Sequence, residues 1–243
     1  MTDQTPLPTV DENWTTALAV VAHPDDMEFG TAAAVARWTR QGKTVIYCMV
    51  TSGEAGIDAI APEESGPLRE KEQIASARAV GVDQVEFLRL PDGVLEYGVP
   101  LRRVITEQVR THRPEIVITG NHHPTFPGGV LNQADHIATG RATIDAVRDA
   151  GNRWIFNDQL ADGLEPWNGV RQVWVTGSPE PTHGVDVTAT FDDGVASLKE
   201  HAAYIEGLSW EFDPEAFLTE ICSSAGPSLG VPYATTVEVI DLG

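Results

Sequence analysis

An α/β fold, Rossmann-like and doubly wound, with a mostly parallel sheet and helices on both faces, is predicted by three features. Short apolar runs alternate with helix-period segments from Ala17 to Thr119. Runs such as Thr44-Val45-Ile46-Tyr47-Cys48-Met49-Val50 are apolar on both sides, as strands covered by helices on two faces must be. The connections between them are short, which suits βα units.

In order, strands are expected at 17–22, 43–51, 84–90 and 115–119, with helices at about 30–41, 67–80 and 100–112 between them. The segment 52–67 is long, Gly-rich and acidic, so it reads as a rim element or lid over the sheet crevice. A helix follows from Asn132 to Ala150, with Asn132 as its cap, Asp135 in the capping-box position and Gly151 as its stop. The remainder is less regular: strands at 171–176, 184–190 and 233–242, and one helix at 192–206. There is no internal repeat or low-complexity tract. At 243 residues and 42% hydrophobic, residues 1–243 are expected to form one domain.

The formal net charge of −20 argues against nucleic-acid binding, which needs basic residues to displace counterions, and against anionic membranes. Its plain reading is solubility, or a salty cytoplasm. No twenty-residue apolar span occurs, and residues 1–16 are polar without a basic or hydrophobic leader, so a cytoplasmic protein is expected. Cys48 and Cys222 form no CxxC pair; Cys48 reads as a small core hydrophobe. Whether the chain forms homo-oligomers is left open.

Chemistry concentrates in two places. Ala22-His23-Pro24-Asp25-Asp26 follows the first strand, where ligands gather in open α/β sheets. His23 offers a nitrogen ligand, and of Asp25 and Asp26 one can hold a cation while the other faces a water on it. The same residues also make an ordinary polar turn. After the strand at 115–119 comes Gly120-Asn121-His122-His123-Pro124, then Asn132-Gln133-Ala134-Asp135-His136. Two imidazoles and a carboxylate form a common catalytic zinc set, and His23, Asp26 and His136 would supply it. Such a metal lowers the pKa of its water toward roughly 7. Equally, His136 can be a hydrogen-bonded histidine, Asp135 a cap acid, and His122-His123 an exposed loop.

These motifs resemble the LmbE-like, or PIG-L, N-acyl-sugar deacetylases. That family carries AHPDD after its first strand and HxDH at a later helix start; here the second reads Gln133-Ala134-Asp135-His136. Arg69-Glu70-Lys71-Glu72 is similar to its RxxE helix start, Thr51-Ser52-Gly53-Glu54-Ala55-Gly56 to its post-strand loop, and Leu90-Pro91-Asp92-Gly93 to its PDG turn. Order and spacing agree over 17–150, and the likeness is less specific beyond.

The resemblance implies that His23, Asp26 and His136 bind Zn²⁺, with Fe²⁺ compatible, that Asp25 is the general base, and that Asp135 orients a neighbour. Gln133 replaces the family's histidine. Its amide cannot protonate an amine but can donate to an oxyanion, which leaves the proton to Asp25, His122 or His123. Arg69 and Asp92 suit sugar hydroxyls, as donor and acceptor, although an Arg69–Glu72 pair and a plain turn are the alternatives. His122 and His123 are likewise placed beside substrate. His201 reads as structural.

The implied partner is a small N-acyl amino sugar or conjugate: a mycothiol precursor, a thiol conjugate, an aminoglycoside or a chitobiose-like sugar. The competing readings are a non-catalytic sugar or nucleotide-binding module and a degenerate deacetylase carrying Gln133. Neither GxGxxG after the first strand nor GxSxG anywhere is present, which weakens dinucleotide binding and a serine hydrolase.

Overall fold

A computed structural model describes residues 6–243; the first five positions of the polar N-terminal stretch lie outside it. Strand β1 (Thr16–Val21) lies between β2 (Thr44–Met49) and, further along the chain, β4 (Ile116–Thr119). Outside β2 lies β3 (Gln84–Phe87), and outside β4 lies β5 (Gln172–Thr176); all five are parallel. β7 (Ala234–Asp241) runs antiparallel to β5, and β6 (His183–Asp186) runs antiparallel to β7. The seven-stranded order is β3-β2-β1-β4-β5-β7-β6.

Because side chains alternate along a strand, β1 feeds two cores. Ala17, Ala19 and Val21 face one side, covered by α1 (Ala32–Arg40), α2 (Pro62–Ala79), α6 (Phe191–Lys199) and α8 (Pro214–Ala225). Leu18 and Val20 face the other, covered by α3 (Val99–His112) and α4 (Ala134–Gly151), which pack on each other. The first core holds Trp14, Trp38 and Trp174, with ring centroids 5.3–5.9 Å apart. Burial on both faces is why these strands read as unbroken apolar runs. No helix among the described residues is long and apolar enough to cross a membrane.

Several element expectations need correction. α2 begins at Pro62, not near residue 67, so the rim segment is shorter than expected. Proline suits a helix's first turn; Pro67 lies further in and removes one bond to the Glu63 carbonyl, at a place where both residues are exposed to solvent. The helix expected at 192–206 is two: α6, then α7 (Ala202–Glu206) after a break at His201, whose ring turns inward and is fully buried. β6 ends at Asp186, short of the expected 190. The short α5 (Asp158–Ala161) and α8 were not expected. In α4 the cap position falls on Gln133 without a side-chain cap bond, so Asn132 and Asp135 do other work.

Candidate metal centre

The parallel strand order reverses at β1, between β2 and β4, and the crevice beyond their carboxyl ends is where such sheets bind ligands. The β1 ladder extends to Ala22, whose carbonyl accepts from Thr51 N at 2.9 Å; Pro24 ends it. Asp25 then takes φ +92°, a conformation that costs a non-glycine residue about 1–3 kcal/mol and persists only when neighbours hold it. They do. Asp25 N donates to Gln73 Oε1 at 2.8 Å, while Arg69 Nη2 donates to Pro24 O at 2.6 Å and Asp25 Oδ2 at 2.8 Å. Arg69 Nη1 donates to Gly53 O at 3.0 Å, and its guanidinium lies 4.2 Å over the Tyr204 ring. Gly53, at φ +63°, leaves space for that guanidinium; a Cβ there would collide with it.

Three ligand-type atoms converge beside this turn. His136 Nε2 lies 3.2 Å from His23 Nδ1 and 3.0 Å from Asp26 Oδ1, and His23 Nδ1 lies 3.7 Å from Asp26 Oδ1. The far side of each ring is anchored. Asn132 donates through Nδ2 to Asn121 O and His123 O, which orients its amide so that Oδ1 accepts from His136 Nδ1 at 3.0 Å. The His136 proton therefore sits on Nδ1, leaving the Nε2 lone pair turned to the cluster. Behind His23, Nε2 meets Asp92 Oδ1 at 3.1 Å and Asp135 Oδ2 at 3.5 Å, which frees Nδ1 in the same way.

Those two carboxylates are themselves fixed by backbone donors. Asp92 accepts from Ala55 N, and Asp135 accepts from Gly93 N and Leu95 N at 2.7 and 3.0 Å. His23, Asp92 and Asp135 could also surround a cation. The Asp26 side is the better donor set because it offers two imidazoles and a carboxylate that accepts only the nearby His23 N–H.

The electrostatics favour positive charge here. Burial works against a charged His23, but hydrogen bonds to Asp135, Asp26 and Asp92 outweigh it and raise its pKa well above the ordinary value. Burial would raise Asp26, yet His136 and His23 hold it well below the carboxylate range. For Asp25 burial wins over the attraction of Arg69, and its pKa is pushed up to about 6. A divalent cation is thus matched by pre-aimed lone pairs and by carboxylates short of positive charge.

Two expectations at this site change. Arg69 and Asp92 do not present themselves to a sugar: Arg69 is 2% exposed with its guanidinium taken up by the Pro24–Asp25 turn, and the buried Asp92 side chain braces His23. No Arg69–Glu72 pair forms either; Glu72 accepts from Ala203 N. His122 and His123 form a separate group with Glu238, and no hydrogen bond or ion pair joins their rings to His23, Asp26 or His136 among the described residues. Gln133 is exposed and its side chain makes no hydrogen bond. Gln73, Asn132 and Tyr204 went unnoticed as site residues. Asn132 had a signal, since it stands four residues before His136.

The profile of PIG-L, described as GlcNAc-PI de-N-acetylase, matches residues 18–147, more than half of the 243 residues. The chain belongs to the PIG-L family. Among PIG-L relatives, the diacetylchitobiose deacetylase of Thermococcus kodakarensis is 26% identical over 225 residues, 92% of this chain and 82% of that protein. A 1D-myo-inositol 2-acetamido-2-deoxy-alpha-D-glucopyranoside deacetylase of Kineococcus radiotolerans is 31% identical over 197 residues, 67% of this chain. The match spans 52%, about half, of that relative's length. Among solved structures, the N,N'-diacetylchitobiose deacetylase of Pyrococcus horikoshii, complexed with its inhibitor MPG, superposes with a TM-score of 0.84 at 25% identity. That superposition covers 95% of this PIG-L chain and 85% of the other.

Proposed function

We propose that the chain is a metal-dependent hydrolase that removes an N-acyl group, most simply acetyl, from an amino sugar or amino-sugar conjugate, with residues 1–243 acting as one domain. The observation that carries this reading is the convergence of His23 Nδ1, Asp26 Oδ1 and His136 Nε2 beside a buried carboxylate, Asp25. The deacetylases among its PIG-L relatives supply the substrate class.

His23, Asp26 and His136 would hold Zn²⁺ or Fe²⁺, both of which this donor set tolerates. Such an ion would supply Lewis acidity toward an amide carbonyl and would lower the pKa of a water toward roughly 7. Asp25 is the general base: Arg69 fixes its Oδ2, and its Oδ1 has no protein partner, so Oδ1 can take the water's proton. The same oxygen can return that proton to the departing nitrogen. Gln133, uncommitted at the start of α4, donates an amide N–H to the carbonyl oxygen as charge builds there. Asp135 and Asp92 keep His23 oriented from behind.

The test is amine release from a panel of N-acetylated amino sugars that includes diacetylchitobiose, followed by fluorescent labelling with and without a chelator. Release that stops on chelation and returns with Zn²⁺ is expected. A loaded protein inert across the panel would reject deacylation, and release surviving exhaustive chelation would reject the metal.

A further inference from the structure

We propose a second metal site, for a divalent transition-metal ion, formed by His122, His123 and Glu238. The two histidines leave the end of β4, and Glu238 stands on β7 opposite Val175 of β5. Each side chain brings one ligand-type atom into a group whose members all lie within 4.8 Å of one another. His123 Nε2 is 2.8 Å from Glu238 Oε2, and the two imidazole rings lie with centroids 4.2 Å apart and planes tilted by 37°.

An ordinary His–Glu hydrogen bond accounts for His123 and Glu238 and leaves His122 unexplained. Its Nδ1 is buried without a hydrogen-bond partner among the described residues, an unfavourable state for a polar atom. The backbone and Cβ of His122 are also held in place. α4 packs so closely behind them that a Cβ on Gly140 would lie 2.6 Å from Gly120 O and 3.0 Å from His122 Cβ. On the acid side, the buried Ser178 donates its hydroxyl to Glu238 Oε2 at 2.6 Å and so orients the carboxylate. Fixed ligands with an outer hydrogen-bond partner distinguish a built site from a chance cluster. Two imidazoles and one carboxylate select Zn²⁺, Co²⁺, Ni²⁺ or Fe²⁺ over Mg²⁺ or Ca²⁺.

The ion would clamp the loop after β4 to the antiparallel part of the sheet. That loop carries the His123 carbonyl, which Asn132 grips with the same amide that holds His136. The role is therefore structural, supporting the first centre through Asn132.

The experiment is Co²⁺ uptake by the full chain after chelator treatment, counted by elemental analysis and followed by visible absorption and thermal melting. The wild type is expected to take up one ion more than an H122N/E238Q double variant, and H136N to retain one ion. The last increment of wild-type uptake should raise the Tm, and the double variant should lack that rise. Unchanged uptake by the double variant overturns the proposal. So does a wild type that binds one ion where H136N binds none; H136Q repeats that arm should H136N fail to fold. Because H136N and H136Q disable only the first centre, failure of that centre and failure of the second site give different counts.

Discussion

Asn132 holds four groups with one amide: its Oδ1 takes Gln133 N and His136 Nδ1, and its Nδ2 takes Asn121 O and His123 O. Replacing it with leucine keeps the size but removes the group that sets the His136 tautomer. N132L should weaken Zn²⁺ binding by about 10–100-fold in calorimetric titration, as loss of a partner behind a ligand does elsewhere. An N132L protein binding as tightly as wild type would mean that packing alone orients His136. Arg69 gives the opposite kind of test, because its partner Asp25 is a buried carboxylate inside a strained turn. R69A should cost about 3–5 kcal/mol in urea unfolding by leaving that charge unpaired. A stable R69A with a raised KM would place Arg69 in sugar binding instead. The convergence of His23, Asp26 and His136 was readable in the sequence because they stand at strand and helix ends. The duties of Arg69 and Asp92 were not, because a polar side chain's partner depends on which loop folds over it.

Among the elements, the parallel half of the sheet was the most legible, since strands buried on both sides must be apolar throughout. The break between α6 and α7 was hidden: His201 sits where a helix would continue, and only its burial, 3.7 Å from the equally buried Glu28, bends the chain there. α8 did carry a signal. Asp213-Pro214 places a capping acid before a first-turn proline, and Asp213 Oδ1 accepts from Glu215 N and Ala216 N at 2.9 and 3.2 Å. D213A should therefore lower stability by about 1 kcal/mol, seen as an earlier urea midpoint with an unchanged slope. α2 hides its role differently, because its buried face carries Arg69, Gln73 and Ser76 at helical spacing instead of an apolar stripe. Gln73 and Ser76 bind Glu28, and Gln73 also holds Asp25 N, so that face is a polar bracket for the first turn.

For the whole molecule, the cluster of acids and imidazoles sets a pH dependence in the absence of metal. Burial opposes protonation of His23, His136 and His201, but neighbouring carboxylates outweigh it and raise all three above the ordinary 6.5. Groups raised on folding contribute stability that is full below pH 6.5 and is lost as pH climbs through their folded values. Asp25, raised from 3.8 to about 6, adds a loss in the same direction at lower pH. The chelated protein should thus melt at falling temperature from pH 6 toward pH 9, measured by calorimetry, whereas Zn²⁺ in place of the His23 and His136 protons should flatten that decline. Parallel melting curves with and without Zn²⁺ would contradict that substitution. The formal charge of −20 adds self-repulsion, so added NaCl should raise the Tm of either form. The three indoles offer a way to follow such transitions. Trp14 precedes β1, at the end of the strand away from the ligands, and its ring meets those of Trp38 and Trp174 edge-on at 5.6 and 5.9 Å. Chromophores this close couple their excited states. Native protein should therefore carry an intense near-ultraviolet dichroism band that reports on the integrity of the fold without a label and without responding directly to what occupies the opposite rim.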